Sequence, residues 1–585
     1  FIGLKVQKPK IYSYFKNFFR IILPTDPKTA QSPPHVGTAF AISMGRCDRH
    51  QTKNPNKRIE GGGNVNKRMT AKEAVDLIRD GMTFSFSGFV ACALPEELLA
   101  ELEERYLTTG SPRDLFVFYA GSPGCGDERG ANHLAHAGLI RKLHGGHMGL
   151  EKQLGPMVNA NEFPAYLVPQ GVNVHLLRAI AGGKPGVVTK VGLKTYCDPR
   201  LEGCKANEAA KAEDVVELVE LGGKEYLFYK GFPIDVCFIK GSTADEDGNI
   251  SLEREGLFDE VFELAAATHN TGGKVVVQVE RLVQRGSMNA KDVKIPGILV
   301  DGIVVGKPEL SRQTYAQEAY NPSWACEVRV PVQSDAEPLP LNERKVCARR
   351  AAMEIRKNSF INFGIGVPQD IAGVLSEEGV ADHVVASVES GVIGGVPSGG
   401  LGMGTADNPV AMIKHPEMFD LYDGGSLRST FLGAAEIDGH GNVNVTKFNG
   451  RMVGPGGFIN ISQNTPTVCF CGTFTAGGFQ CRVEDGRLII LQDGKTVKFK
   501  PAVEQVSFSG DYALEAGQEV LYITERAVFR LTDRGVTLTE IAPGVDMQKD
   551  ILDRMDFAPA IAEDLKTMDP RIFQPEPMGL ELLDQ

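Results

Sequence analysis

No apolar run approaches the roughly 20 residues that a helix needs to cross a membrane, so the sequence offers no membrane-spanning helix. There is no GxSxG elbow of the kind that holds a nucleophilic serine, and no local Cys–His pairing. No lysine follows a GxxxxG in the manner of an ATP-binding loop, and the one Gly-x-Gly set between strand and helix, Gly364-Ile365-Gly366, has Gln369 where a dinucleotide fingerprint needs a third glycine. These gaps argue against serine-hydrolase, NAD and ATP chemistry. Basic charge is scarce in the body of the chain. Residues 1–68 carry thirteen Lys and Arg against three acids, about +10, which leaves the remainder near −22 in a whole of −12. An acidic body excludes nucleic acid as the main partner. No disulfide framework is visible either. The eleven cysteines are scattered and odd in number, as expected of reduced, buried thiols in a cytosol-like compartment.

What is present is the make-up of a globular protein: 42% apolar and 23% charged residues, with 66 glycines spread along 585 residues. That length favours two or more domains. Residues 1–68 form a basic extension, FIGLKVQKPKIYSYFKNFFRIILP and onward, that begins with Phe. It reads as a targeting or membrane-surface segment, or as upstream sequence ahead of a start at Met44 or Met69, with KNPNKRIEGGGNVNKR disordered. From Met69 the pattern is regular. TAKEAVDLIRDG is a helix with a capping box, TFSFSGF an alternating strand, and PEELLAELEERY a helix opened by Pro95. IDVCFIKGS, GKVVVQVERLV and PGILVDGIVVG are Val/Ile-rich runs suited to a buried parallel sheet, with helical LFDEVFELAAATHNTGG between them. A proline-rich linker over 332–343 breaks the pattern, which then restarts with the helix KVCARRAAMEI, the strand SFINFGIG and the helix PQDIAGVLSEEG.

The two halves echo each other. GFVACALPEELLAEL is answered by GIGVPQDIAGVL, and STADEDGNISL by AAEIDGHGNVNV, with Gly248-Asn249 matching Gly441-Asn442. The reading is α/β: two related open α/β domains, residues 69–331 and 344–585, with an active site in the cleft between them.

Two stretches could carry chemistry. ANHLAHAGLIRKLHGGHMGL contains His133, His136, His144 and His147. Two HxxH pairs suggest zinc, but no Cys or acid pair completes a closed site, so a surface or packing role is expected and no metal. SVESGVIGGVPSGGLGMG sets Glu389 alone among glycines, with no base or metal partner beside it. The preceding HVVAS is strand-like, so Glu389 would stand at the carboxyl end of a parallel strand, where open α/β sheets bind ligands. It could equally cap a turn.

VESGVIGGVP, NPVAMIKHPEMFDLYDGG, TFLGAAEIDGHGNVNVTKFNGRMVGPGGFINIS and VCFCGTFTAGG together resemble the class I CoA-transferases, and within them the single-chain acetate/propionate branch. DGMTFSFSGFVACALPEELL and VPQGVNVHLLRAIAGGKPGVVTKVGLKTYCDPR fit the same family, and the likeness runs from about Met69 to the end. V-E-S-G stands where many relatives have S-E-N-G, a difference of branch. The resemblance implies a CoA-transferase acting between a short-chain acyl-CoA and acetate, propionate, butyrate or a 3-keto acid. Glu389 would form a covalent glutamyl-CoA thioester in a ping-pong cycle without metal or ATP. CoA is then substrate and covalent intermediate, and no cofactor is tightly bound. An ionised carboxylate is itself a nucleophile and needs no base. The resemblance further implies two glycine cradles, Gly364, Ile365, Gly366, Val367 and Pro368 at a helix start, and Gly456 with Gly457, while Gly394 and Gly395 follow the nucleophile. Gly456 is assigned to catalysis, Gly457, Gly394 and Gly395 to CoA. Gln170 in VPQG is either an oxyanion or CoA contact or a turn residue. A cytoplasmic homo-oligomer, tetramer or dimer, is implied. A CoA-ester hydrolase and a non-catalytic CoA-binding protein are the alternatives.

Overall fold

The structure is a computed structural model that describes residues 67–316, 318–331 and 338–584, all within one compact unit, Val65–Gln585. The expectations for residues 1–66, and those for 332–337 of the linker, lie outside the described residues.

Two large sheets organise the chain. The first has seven strands, all parallel, in the order Gly302–Val305, Lys274–Val279, Val236–Lys240, Thr83–Phe86, Leu115–Phe118, Ile140–Gly145, Ala165–Leu167. Alternate residues feed different cores: Val236 and Phe238 join one apolar cluster, Cys237 and Ile239 another. Both faces of the sheet are therefore covered, which is why its strands are continuous apolar runs. TFSFSGF departs from the alternating, half-buried strand expected of it. All four residues of Thr83–Phe86 are buried, Ser85 included, because this is the central strand of the seven.

The second sheet has ten strands. Its middle five, Val384–Val388, Ser359–Phe363, Ser429–Leu432, Thr467–Cys471 and Glu519–Ile523, are parallel. Cys469 and Cys471 share a face, as their spacing requires, and all ten described cysteines are free, eight of them buried. The expected helices form as Glu96–Thr109, Val261–Asn270, Glu343–Ala352 and Val367–Glu377. Thr70 and Glu73 close the capping box on the helix Ala71–Val75. Among the described residues no helix is long and apolar enough to cross a membrane.

The echo between the halves has a physical form. Asp245 Oδ1 accepts the N–H groups of Asp247 and Asn249, each at 3.0 Å, and its Oδ2 accepts the Asn249 side-chain amide at 2.9 Å. Asp438 holds His440 and Asn442 in the same three bonds, each at 3.0 Å. Gly248 and Gly441 supply the left-handed residue of each turn, at φ +87° and +82°.

Candidate active site

The carboxyl ends of parallel strands from both sheets meet at one cavity of about 570 Å³. The first sheet contributes Phe89, Ser122, His147 and Gln170, each shortly after a strand. The second contributes Asn362 from the end of a strand, and Gly364 and Glu389 each just past one. This is where open α/β sheets place ligands, because strand ends and helix starts leave backbone groups unpaired.

Glu389 is the first residue past the strand Val384–Val388 and opens a tight hairpin into Val392–Ile393. Gly391 closes the hairpin, donating its N–H to Val388 O at 3.0 Å with φ +113°. A Cβ on Gly391 would sit 2.0 Å from Ile413 O, so only glycine fits. Ser390 is buried and donates to Gly404 O at 2.5 Å. The turn that carries Glu389 is thereby pinned from both sides. Its side chain is half-buried and borders the cavity. Burial raises its pKa above the ordinary carboxylate value, while the charge of His415 and its own backbone N–H pull it back down.

Gly457 packs directly on that carboxyl: a Cβ there would lie 3.4 Å from Glu389 Cδ. Gly457 caps the helix Phe458–Gln463, and no protein acceptor among the described residues takes its N–H. Gly456 borders the cavity too, but its amide is engaged. Its N–H donates to Gly146 O at 3.1 Å and its carbonyl accepts from Gln170 N at 2.8 Å, so it is part of the scaffold and the free amide belongs to its neighbour.

Gln170 is the first residue of the helix Gln170–Ala181, not a turn residue, and its buried side chain forms part of the cavity wall. Gly364 and Ile365 border the cavity; Gly366, Val367 and Pro368 do not. The Gly366 N–H is taken by the Gln369 side chain at 3.3 Å, and Gln369 and Ala372 face the cavity instead. Gly394 and Gly395 do not border it either. They pack on Val410 and on the Asp407–Asn408 backbone, where a Cβ would come within 2.6 and 2.2 Å, so their positive φ serves a chain crossing.

The four histidines separate. His133 lies between Glu103 at 2.5 Å and Glu96 at 2.8 Å; burial opposes its charge, but the two carboxylates outweigh that and lift its pKa to about 9. His136 reaches the other Glu103 oxygen at 2.7 Å. His144 is buried against Asn173 at 2.9 Å, and burial drives its pKa to about 3. His147 alone reaches the cavity. Its Nδ1 accepts the Gly149 N–H at 3.0 Å, so its single proton sits on Nε2, and burial holds its pKa near 4. Gly149 leaves room for this ring, which a Cβ would meet at 2.3 Å.

Two further groups were not singled out from sequence. Ser122 borders the cavity and donates to buried Glu151 at 3.1 and 3.2 Å; burial lifts Glu151 to about 8, so it is a neutral acid at pH 7. His415 lies behind Gln170, clasped by Asp259 and Glu260. These partners are far apart in sequence and share no local motif. No lysine or arginine borders the cavity among the described residues.

Comparison with known proteins gives the family. The family model for Coenzyme A transferase matches residues 68–306. A caffeate CoA-transferase of Acetobacterium woodii is 45% identical over 524 residues, covering 88% of this chain and 99% of the relative. The acetate CoA-transferase YdiF of Escherichia coli O157:H7 is 42% identical over 515 residues, with 88% and 96% coverage. A crystal structure of that organism's YdiF, described as an acyl-CoA transferase thioester complex with CoA, superposes with a TM-score of 0.83 at 40% identity, covering 89% of this chain and 99% of that one.

Proposed function

The chain belongs to the coenzyme A transferase family and is a CoA-transferase, and on that premise we propose that it exchanges CoA between acids by covalent catalysis on Glu389. The observation that carries this reading is the Glu389 carboxyl, held on a pinned turn at the cavity where both sets of strand ends meet, packed on Gly457, whose N–H has no protein acceptor among the described residues.

Four steps follow. A Glu389 carboxylate oxygen attacks the thioester carbonyl of the acyl-CoA; the C–S bond breaks and gives an acyl-glutamyl anhydride and CoA thiolate. The thiolate attacks the glutamyl Cδ and expels the first acid as carboxylate, leaving glutamyl-CoA. The carboxylate of the second acid attacks that carbonyl and again releases thiolate, with a new anhydride. The thiolate then attacks the new acyl carbon and frees Glu389. Every nucleophile is already an anion and every leaving group departs as one, so no proton is moved and no base is required. Each step passes through a tetrahedral oxyanion. On this reading the Gly457 N–H and the Gln170 side-chain amide are the donors that would receive it, and a well-aimed donor contributes about 3–4 kcal/mol. Glu389 must remain ionised, and the His415 charge opposes the effect of burial on it.

The wall chemistry narrows the acids. With no lysine or arginine at the cavity among the described residues and His147 neutral at pH 7, a second carboxylate on the substrate would be buried without a counter-ion. Monocarboxylates fit: acetate, propionate, butyrate or a 3-keto acid. The relative that acts on caffeate makes an aryl acid the informative addition to a panel.

The test has two parts. Protein mixed with acyl-CoA is reduced with borohydride and digested; the glutamyl thioester gives a reduced residue at position 389 by peptide mass. The same protein is supplied with acyl-CoA and labelled acetate. Labelled acetyl-CoA with the mass change at Glu389, both lost in Glu389→Gln, is the expected result. Acyl-CoA consumption without labelled acetyl-CoA would mean that water is the acceptor. Transfer retained in Glu389→Gln would overturn the assignment.

A further inference from the structure

Gln170 does not stand alone. Its Nε2 lies 2.8 Å from His415 Nε2, and the His415 Nδ1–H faces Glu260 Oε2 at 2.8 Å and Asp259 Oδ1 at 3.1 Å. All four residues are buried, His415 completely. We propose that His415, clasped by Asp259 and Glu260, sets which end of the Gln170 side-chain amide faces the reacting carbonyl, and is a positioning residue for CoA transfer. The inference rests on Gln170 acting as an oxyanion donor.

The argument is one of donors and acceptors. A neutral imidazole with its proton on Nδ1 offers a lone pair at Nε2. It then accepts from the Gln170 NH2, and the Gln170 carbonyl oxygen is turned toward Gly121 and Gly456, whose Cβ positions it approaches to 3.7 and 3.8 Å. An imidazolium offers N–H at Nε2 instead. It must donate to the Gln170 carbonyl, and a half-turn about Cγ–Cδ then presents the NH2 on the Gly456 side, where an oxyanion needs a donor. One proton on His415 thus decides whether the wall of the site accepts or donates.

The surroundings favour the imidazolium. Asp259 and Glu260 come from the start of the helix Val261–Asn270, and Glu389 faces His415 from its hairpin. The remaining neighbours are apolar: the rings of Phe89 and Phe419 at 5.6 and 5.4 Å. On its own segment, Lys414 is turned to Glu263 at 3.4 Å, and Glu417 accepts the Lys414 N–H at 3.0 Å. Burial opposes a charge on His415, but Asp259 and Glu260 outweigh it and lift its pKa to about 9. The two acids are split: burial and the Asp259 charge push the Glu260 pKa well above the ordinary carboxylate range, while Asp259, although buried, is held below it by its bonds to His415 and Glu260.

The test is the pH dependence of kcat, with thermal stability of each variant as control. The unsubstituted protein should hold kcat through neutral pH and lose it as pH rises past about 9, by about 100-fold when one donor is lost. Either acid alone still supplies the shared charge, so Asp259→Asn and Glu260→Gln are combined. The double variant should lower kcat at pH 7 by about 100-fold. Gln170→Ala should lower it by as much and abolish the alkaline fall. Adding the acid substitutions to Gln170→Ala should cost less than about threefold more, because both act through one amide. His415→Gln, which donates without titrating, should keep activity within about tenfold of wild type and lose the alkaline fall. An alkaline fall that is absent from the unsubstituted protein, or that persists in His415→Gln or Gln170→Ala, overturns the proposal. So does a His415→Gln activity no higher than that of Gln170→Ala, or independent multiplication of the acid and Gln170 effects. The covalent reading fails separately, by absence of the Glu389 thioester in the unsubstituted protein, whatever these profiles show.

Discussion

Gly457→Ala should slow transfer while leaving the fold in place, and the contacts say by how much. Gly457 has φ −81° and ψ −6°, a conformation open to alanine, so no backbone strain is added. The new methyl would lie 3.2 Å from Ile461 Cδ1, 3.3 Å from Phe419 Cζ and 3.4 Å from Glu389 Cδ. Carbon contacts relax to about 3.5–4.0 Å, so a few tenths of an ångström must be found. Phe419 is fully buried and has little room to give, while Ile461, 3% exposed, shares the cavity edge with Glu389. The Glu389 carboxyl, with open cavity beside it, is the group that yields. A 1 Å displacement of a reacting group costs about 100-fold, or about 2.7 kcal/mol. A shift of about 0.4 Å then costs about 1 kcal/mol, and with the approach path also narrowed, kcat should fall about tenfold. Stability should change by about 1 kcal/mol or less. The assay is initial-rate formation of labelled acetyl-CoA, beside single-turnover growth of the Glu389 thioester and a thermal melt. A variant with unchanged melting and kcat within about twofold of wild type would refute the claim that Gly457 sets the position of the nucleophile.

Other outcomes follow from the same structure. Glu389→Asp withdraws the carboxylate by roughly 1 Å and should cost about 100-fold in kcat, with stability kept. Since burial raises the Glu389 pKa and the ionised form is the proposed nucleophile, kcat/KM should fall with falling pH through a value above the ordinary carboxylate range; an acid limb below that range would contradict the burial argument. Glu151 keeps its proton to about pH 8 when folded, whereas in the unfolded chain it loses it near 4.3. Between those values the folded state binds more protons, so stability falls as pH rises; Glu151→Gln should therefore stabilise the protein more at pH 8 than at pH 5, read by paired melts. Succinate should be a far poorer acceptor than butyrate, and comparable rates would show that a cation reaches the site after all.

The sequence disclosed most where chemistry and backbone are local. Strand ends, helix starts and the Asp245 and Asp438 turns are written in neighbouring residues, and so is the placement of Glu389 past a strand. Burial of TFSFSGF on both faces was hidden, because Ser85 and Ser87 mimic a solvent face while lying at the centre of a covered sheet. The glycines after the nucleophile misled for a related reason. Gly394 and Gly395 look like a ligand cradle, yet their need for glycine comes from a strand that crosses them. Gly456 and Gly457 cannot be told apart until one amide is seen bound to Gly146 and the other open. His147 was visible but indistinct among its neighbours, and His415 meets Asp259 and Glu260 across more than 150 residues. Partnerships of that range are made by topology, and no spacing rule records them.

The cavity proposed as the active site is walled by two parts of the chain, with Glu389 on one and Gln170, His147 and Ser122 on the other. Turnover is therefore a sensitive gauge of how those parts are seated. Mild urea that loosens their mating by a fraction of an ångström should silence the enzyme while circular dichroism still reports intact sheets and helices. Inactivation and unfolding would then trace separate curves, and substitutions that tighten the seam should draw the two together.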